Sequence, residues 1–224
     1  VAGDACPGTE VCVCGGDRPP CFCRRDEGAD GLNDGTHSAL TRHAYRVKST
    51  LPIIAYQFNP LDNVGVFSND ASLLLPTSAL GDTYTVVGWP QTIADADCDP
   101  SEPTCLDRDF DPSRDDEDLR AFLTVLGTGS RTQVTITMGS RAAVVVGDGL
   151  DIPTMGPGDV LEVELSEFDV LNLETALLNS DFTGTQVSAS QPVSVFVGSE
   201  ASDAPRFETC PHRGCCADHP EEQL

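Results

Sequence analysis

The sequence predicts an all-β fold, an antiparallel β-sandwich or stacked β-sheet modules, preceded by a disulfide-rich N-terminal segment. The first observation is alternation. Val134, Ile136 and Met138 fall on one face with Thr135 and Thr137 on the other, and Leu161, Val163 and Leu165 oppose Glu162 and Glu164. A period of two belongs to a half-buried strand, whose successive side chains point to opposite faces. The second is punctuation: the runs are short, joined by Gly and Asp turns such as Gly147-Asp148-Gly149, with almost no helical periodicity. That argues for layered antiparallel sheets, and the polar outer face argues against a parallel α/β sheet. The third is ten cysteines in 224 residues, which point to an oxidising compartment.

A chain of this length can bury a core as one large β domain or two small ones. Its 36 acidic and 13 basic residues give a formal charge of −23. Such a charge repels nucleic acid and anionic membranes, and it suits a solvated extracellular surface or cation binding. No apolar run approaches a membrane span or a signal-peptide core, and the chain starts at Val rather than Met. A mature or excised piece of a longer protein is expected to look like this. The protein is expected to be secreted or on the cell surface, with no membrane insertion and no nucleic-acid partner.

Residues 1–37 show no strand or helix period and read as a Cys-rich irregular segment. They hold Cys6, Cys12, Cys14, Cys21 and Cys23, and residues 15–20 between the two Cys-x-Cys pairs carry turn chemistry that would fold the pairs against each other. Four thiolates could close a tetrahedral zinc site. Zinc sites more often use Cys-x-x-Cys, however, and a segment without a core needs covalent staples, so a disulfide knot is the expectation. If Cys98 pairs with Cys105, five cysteines remain before them and three after, namely Cys210, Cys215 and Cys216. Both counts are odd, so full intrachain pairing requires a bridge between the two ends.

From Ser38 the pattern is that of strands. Residues 44–48 and 51–58 form one pair of runs, and 52–56 have the character of a buried strand. Residues 57–76, QFNPLDNVGVFSNDASLLLP, contain the turn signals Asp62-Asn63 and Asn69-Asp70. They read as a long ordered excursion between the runs 52–56 and 84–89, a common setting for binding chemistry. Residues 121–126 and 132–138 around Gly127-Thr128-Gly129-Ser130-Arg131 give a hairpin signal. Runs at 142–146, 160–165 and 168–173 follow, and 184–188 with 191–198 form a last pair. This pair overlays the first at a constant offset of 140 residues, Val47 meeting Val187, Pro52 meeting Pro192 and Tyr56 meeting Phe196. The overlay reads as an internal repeat of a tandem series. The competing reading is that two proline-initiated strands merely look alike.

Chemistry-bearing residues are few. Asp107, Asp109, Asp111, Ser113, Asp115 and Asp118 place oxygens at the spacing of a calcium loop, where alternate side chains converge on one hard cation. Pro112 stands where such loops need Gly, and Asp118 where Glu is usual, so a solvated acidic loop stapled by Cys98–Cys105 is the competing reading. Cys210, His212, Cys215, Cys216 and His219 could ligate zinc, against which stands disulfide pairing; adjacent Cys215 and Cys216 are strained as a bridge to each other. Asp218-His219-Pro220-Glu221-Glu222 mixes carboxylates with imidazole, but no partner nucleophile is identifiable. No nucleophile elbow or phosphate loop occurs, so no catalytic residue and no enzymatic activity is expected.

Residues 57–89 resemble the core segment of the immunoglobulin-G Fc-binding-type N-terminal domain. Three further pieces match in the family's order: AFLTV at 121–125 leading to TQVTIT at 132–137, DFTG at 181–184 leading to QPVSVFVG at 191–198, and CCADHPEEQ at 215–223. Together they run from Pro52 to Leu224, with Pro220 where a bulkier apolar residue is usual. The resemblance is to bacterial, myxobacterial-like secreted proteins, and it implies that 38–224 is an extracellular β-rich binding domain. Fc binding itself is not carried over. The expected function is a non-catalytic binding or adhesion module, stiffened by disulfides and by Ca²⁺ if the acidic loop holds it. Its partner is an extracellular protein or glycan. The alternative is a structural surface or filament-forming protein that assembles with copies of itself.

Overall fold

A computed structural model describes residues 10–14, 21–25, 38–42, 44–59, 70–90, 120–144, 152–175, 180–199, 202–203, 217–218 and 220–224. Their architecture is nearly all β. In chain order the strands are β1 (Glu10–Cys14), β2 (Cys21–Arg25), β3 (Ala39–Thr41), β4 (Tyr56–Asn59), β5 (Asp70–Leu73), β6 (Thr83–Thr85), β7 (Ala121–Gly127) and β8 (Thr132–Thr137). There follow β9 (Val160–Leu165), β10 (Val170–Glu174), β11 (Gln186–Ala189), β12 (Val193–Ser199), β13 (Ser202–Asp203), β14 (Ala217–Asp218) and β15 (Glu221–Gln223). One 3-10 turn, Thr77–Ala79, separates β5 from β6. No helix among the described residues is long and apolar enough to cross a membrane.

Two antiparallel sheets make the body. One runs β15-β12-β7-β10-β3 and the other β6-β11-β8-β9. Their inner faces supply one core: Leu123, Val125, Leu171, Leu173, Val193 and Val195 from the first meet Val134, Ile136, Leu165 and Val187 from the second. Phe182, between β10 and β11, is fully buried there. The alternation read from sequence holds: Val134, Ile136 and Met138 are buried, and Leu161 and Val163 pack on the core. This is the sandwich logic of apolar inner positions and polar outer ones.

The connections differ from the expected hairpin. β7 and β8 do not pair; β7 lies between β12 and β10, and β8 between β11 and β9. The chain from β7 to β8 crosses between sheets, as it does from β9 to β10 and from β11 to β12. Contacts distant in sequence set this. Thr128 Oγ1 donates to Pro192 O at 2.5 Å, Gln191 Nε2 donates to Ser130 O at 2.9 Å, and Phe168 N–H donates to Gly127 O at 3.1 Å. A Cβ on Gly127 would lie 2.2 Å from Ser166 O, so only glycine lets the two crossings touch. Phe168, expected within a strand, instead sits at φ 74 in the β9–β10 corner, where Asp169 Oδ2 accepts the Ser166 N–H at 2.7 Å.

Other runs are shorter than the pattern suggests. Residues 44–55 form no strand, and Leu51, Ile53 and Ile54 are exposed rather than buried. Their apolar character reflects a surface, not a core. Of 84–89, only the first two residues fall in β6, although Val86 is fully buried. The front segment is not wholly irregular: β1 and β2 pair, with Cys12 opposite Cys23 and Cys14 opposite Cys21. Five-residue strands in which cysteine takes two of the three positions of one face carry too little periodicity to be seen.

Candidate binding surface

The two ends of the stretch read as an excursion pair with each other: β4 pairs with β5, Tyr56 opposite Leu73, Gln57 opposite Ser72, Phe58 opposite Ala71 and Asn59 opposite Asp70. Direct cross-strand partners share a face. Gln57, Ser72 and Asp70 therefore lie on one side, and Tyr56, Phe58, Leu73 and Ala71 on the other. The polar side is the one turned inward. Ser72 is buried, whereas Tyr56 is 54 %, Phe58 50 % and Leu73 47 % exposed, and Ile54 just ahead is 75 % exposed. This is the reverse of an ordinary sheet face on a core.

The polar side seats on β15, the edge of the five-stranded sheet. β15 pairs with β12 through alternate residues: Ser199 N–H donates to Pro220 O at 3.0 Å and Leu224 N–H to Val195 O at 2.9 Å. The N–H groups of Glu221 and Gln223 consequently face away from β12. Asp70 Oδ2 accepts the first at 2.7 Å and Ser72 Oγ accepts the second at 3.0 Å. Residues two apart on β5 thus match residues two apart on β15, because both strands repeat at the same rise. The Gln223 side chain completes the joint, its Oε1 accepting Leu75 N–H at 2.6 Å and its Nε2 donating to Ser194 Oγ at 2.7 Å.

Electrostatics at this joint are concentrated on Glu221. Its carboxyl is held above the usual value of 4.5, first by burial and then by the Asp70 carboxylate beside it. Gln57 Nε2 donates to Glu221 Oε1, and Ser72 Oγ donates to Glu222 Oε2 at 3.3 Å. A buried carboxyl between an amide and a second carboxylate retains its proton more readily than one in water. These partners are structural, and β15 reads as a strand seam.

A second anchor lies upstream, where the Arg46 guanidinium sits 5.1 Å over the Phe168 ring and pairs with Glu167, while Arg42 Nε stands 3.3 Å from Asp169 Oδ1. These contacts tie Arg42 and Arg46 to the β9–β10 corner. Tyr45 and Val47 between and beyond them remain exposed.

The residues singled out from sequence fall elsewhere. Asp107, Asp109, Asp111, Ser113, Asp115 and Asp118 lie outside the described residues, as do Cys6, Cys98, Cys105, Cys210, Cys215, Cys216, His212 and His219. Cys12, Cys14, Cys21 and Cys23 are described by strand pairing alone. Among the described residues no group of three or more His, Cys, Asp or Glu is placed to hold a metal ion. Sequence reasoning missed the partnership of Asp70 and Ser72 with Glu221 and Gln223. The available signal was the Asp-x-Ser alternation in β5, which was overshadowed by the turn reading of Asn69-Asp70.

No curated protein and no solved structure matches the chain. A family model does, that of the IgGFc binding protein, over residues 70–224. The match opens at Asp70, the first residue of β5, and runs through both sheets to the seam at β15. This chain belongs to the IgGFc-binding family.

Proposed function

We propose that the chain is an extracellular, non-catalytic binding module whose ligand is a protein. The observation that carries this is the family match over 70–224, a unit that here holds every strand of the two-sheet body except β3 and whose first strand, β5, caps its last, β15. Such a body is a rigid platform from which loops and edges can engage a partner. The family's name supplies one protein ligand, the Fc portion of immunoglobulin G, and the class it represents is what we carry over. In the same proposal, disulfides among the ten cysteines and Ca²⁺ at Asp107–Asp118 stiffen the module; non-reducing peptide mapping and calorimetric titration with Ca²⁺ test those parts. The main test is an array of extracellular proteins, immunoglobulin Fc and glycans probed with the intact chain. Saturable retention of a protein supports the reading. Retention of glycans alone, or of nothing, overturns it.

A second reading, structural self-assembly, is favoured by one observation: the hairpin turns its apolar face to solvent. Contiguous exposed apolar surface marks an interaction site.

A further inference from the structure

We propose that β4 is the contact strand of a symmetric dimer of this chain, two β4 strands pairing antiparallel so that both hairpins join in one four-stranded sheet. This goes beyond the binding reading and does not rest on it.

The edge is open and correctly disposed. β4 has β5 on one side, and no strand lies on its other side among the described residues. Leu74 N–H donates to Ala55 O at 3.0 Å, which makes Ala55 and Leu74 a hydrogen-bonded pair. Antiparallel ladders alternate, so Gln57 bonds to β5 while the N–H and C=O of Tyr56 and Phe58 point to the open edge. Those are the two residues whose side chains form the outward apolar face. A two-stranded hairpin is marginal by itself and gains most from a third strand.

Chemistry favours a second copy as the occupant. The stretch from Leu51 to Asn59, LPIIAYQFN, contains no charged residue in a chain of net charge −23. Exposed edges are usually protected by charge or by proline within the paired stretch; here Pro52 precedes the strand, and the strand itself has neither. Two copies that repel over an acidic surface can approach here without bringing like charges into contact.

The sequence overlay offers a comparison for such a strand. At the offset of 140 residues Tyr56 falls on Phe196, so β4 aligns with the last four residues of β12, although residues 44–55 form no strand to match β11 and the start of β12. β12 has a short partner, β15, on one side, as β4 has β5. On its other side β12 receives an antiparallel strand, β7, with Phe196 opposite Thr124. On the corresponding side of β4 no strand lies among the described residues. A second β4 supplies an antiparallel, alternating, uncharged strand, and two-fold symmetry makes the contact self-complementary.

The test is sedimentation equilibrium of the full chain from micromolar to millimolar concentration, with Phe58→Asp and Phe58→Pro. The first puts a charge on the face. The second removes an N–H that points away from β5 and leaves the β4–β5 ladder intact. A concentration-dependent dimer that both variants abolish, with unchanged circular dichroism, is expected. A monomer throughout, or a dimer that persists in both variants, overturns the proposal, including the case in which another module or protein covers the face. Should the variants fail to fold, hydrogen exchange on the unaltered chain decides. Slower exchange at Tyr56 and Phe58 with rising concentration, Gln57 unchanged, is required; equal exchange at all concentrations refutes it. Fc or other ligand binding by the monomeric variants would separate this contact from the ligand reading.

Discussion

Replacing Asp70 with alanine isolates the joint between the hairpin and the sandwich. The substitution deletes the acceptor of the Glu221 N–H, a 2.7 Å contact to a carboxylate, and leaves that N–H at a part-buried site. A hydrogen bond to a charged acceptor contributes about 1.5–3 kcal/mol. The loss should appear first as local opening of β15, a three-residue edge strand, and only partly as global unfolding. In native-state hydrogen exchange, about 1.5–3 kcal/mol corresponds to roughly 10- to 150-fold faster exchange at Glu221 and Gln223. If opening of β15 is coupled to the whole fold, Tm falls by about 3–12 °C. Ser72→Ala removes the neutral acceptor of Gln223 N–H and should cost less, about 0.5–1.5 kcal/mol. Asp70→Asn is the discriminating control: it keeps an oxygen acceptor and removes the charge that disfavours ionised Glu221, so it should lose less than Asp70→Ala. Unchanged exchange at both amides in Asp70→Ala would refute the edge-capping argument, whatever the melting temperature does.

Gly127→Ala should be destabilising by about 1–3 kcal/mol or more, read as a lower urea midpoint, because the new methyl would lie 2.2 Å from the backbone oxygen of Ser166 and overpacking against main chain has no flexible atom to yield. Tyr84→Phe should cost about 1–2 kcal/mol in the same assay: the phenol accepts Gly81 N–H at 2.8 Å and donates to Val193 O at 2.7 Å, fastening the edge of one sheet to β12 of the other. Glu221→Gln should be more stable than the unaltered chain at neutral pH. The folded state raises the proton affinity of Glu221, so ionising it costs stability above the raised value, and the cost disappears as pH falls below the ordinary 4.5. The stability gap between the two proteins must therefore close on acidification; a gap independent of pH rules the account out.

Which residues face inward was legible in the sequence, and which sheet each strand joins was not. Val134, Ile136 and Met138 announce their face by spacing alone, and all three are buried. The five residues from Gly127 to Arg131 are compatible with a hairpin or with a crossing between sheets. The choice is made by Gln191, Pro192 and Ser166, none of which is local. The same limit hid the seam, where Asp70 and Glu221 meet across a separation of 151 residues. Residues 52–56 failed for another reason. An apolar run states that water is to be excluded, without stating whether by the chain's own core or by something else.

The position of the seam bears on how the parts divide. The family match begins at β5 and ends at the strand that β5 caps, so the first and last strands of the matched unit close each other. Closure is made through side chains: the carboxylate of Asp70 and the hydroxyl of Ser72 accept the β15 N–H groups in place of a backbone ladder. β4 lies before the matched unit and contributes to the seam mainly through Gln57. Its apolar residues add nothing to the core between the sheets, which is complete with Leu123, Ile136, Leu165 and Phe182 fully buried. Tyr56 and Phe58 are therefore free to be selected for what they meet outside the sandwich. Replacing both with serine should leave the melting of the sandwich nearly unchanged, whereas truncating the single ring of Phe182 to alanine would cost about 3–5 kcal/mol. A large drop in Tm from the serine pair would mean that β4 belongs to the fold after all.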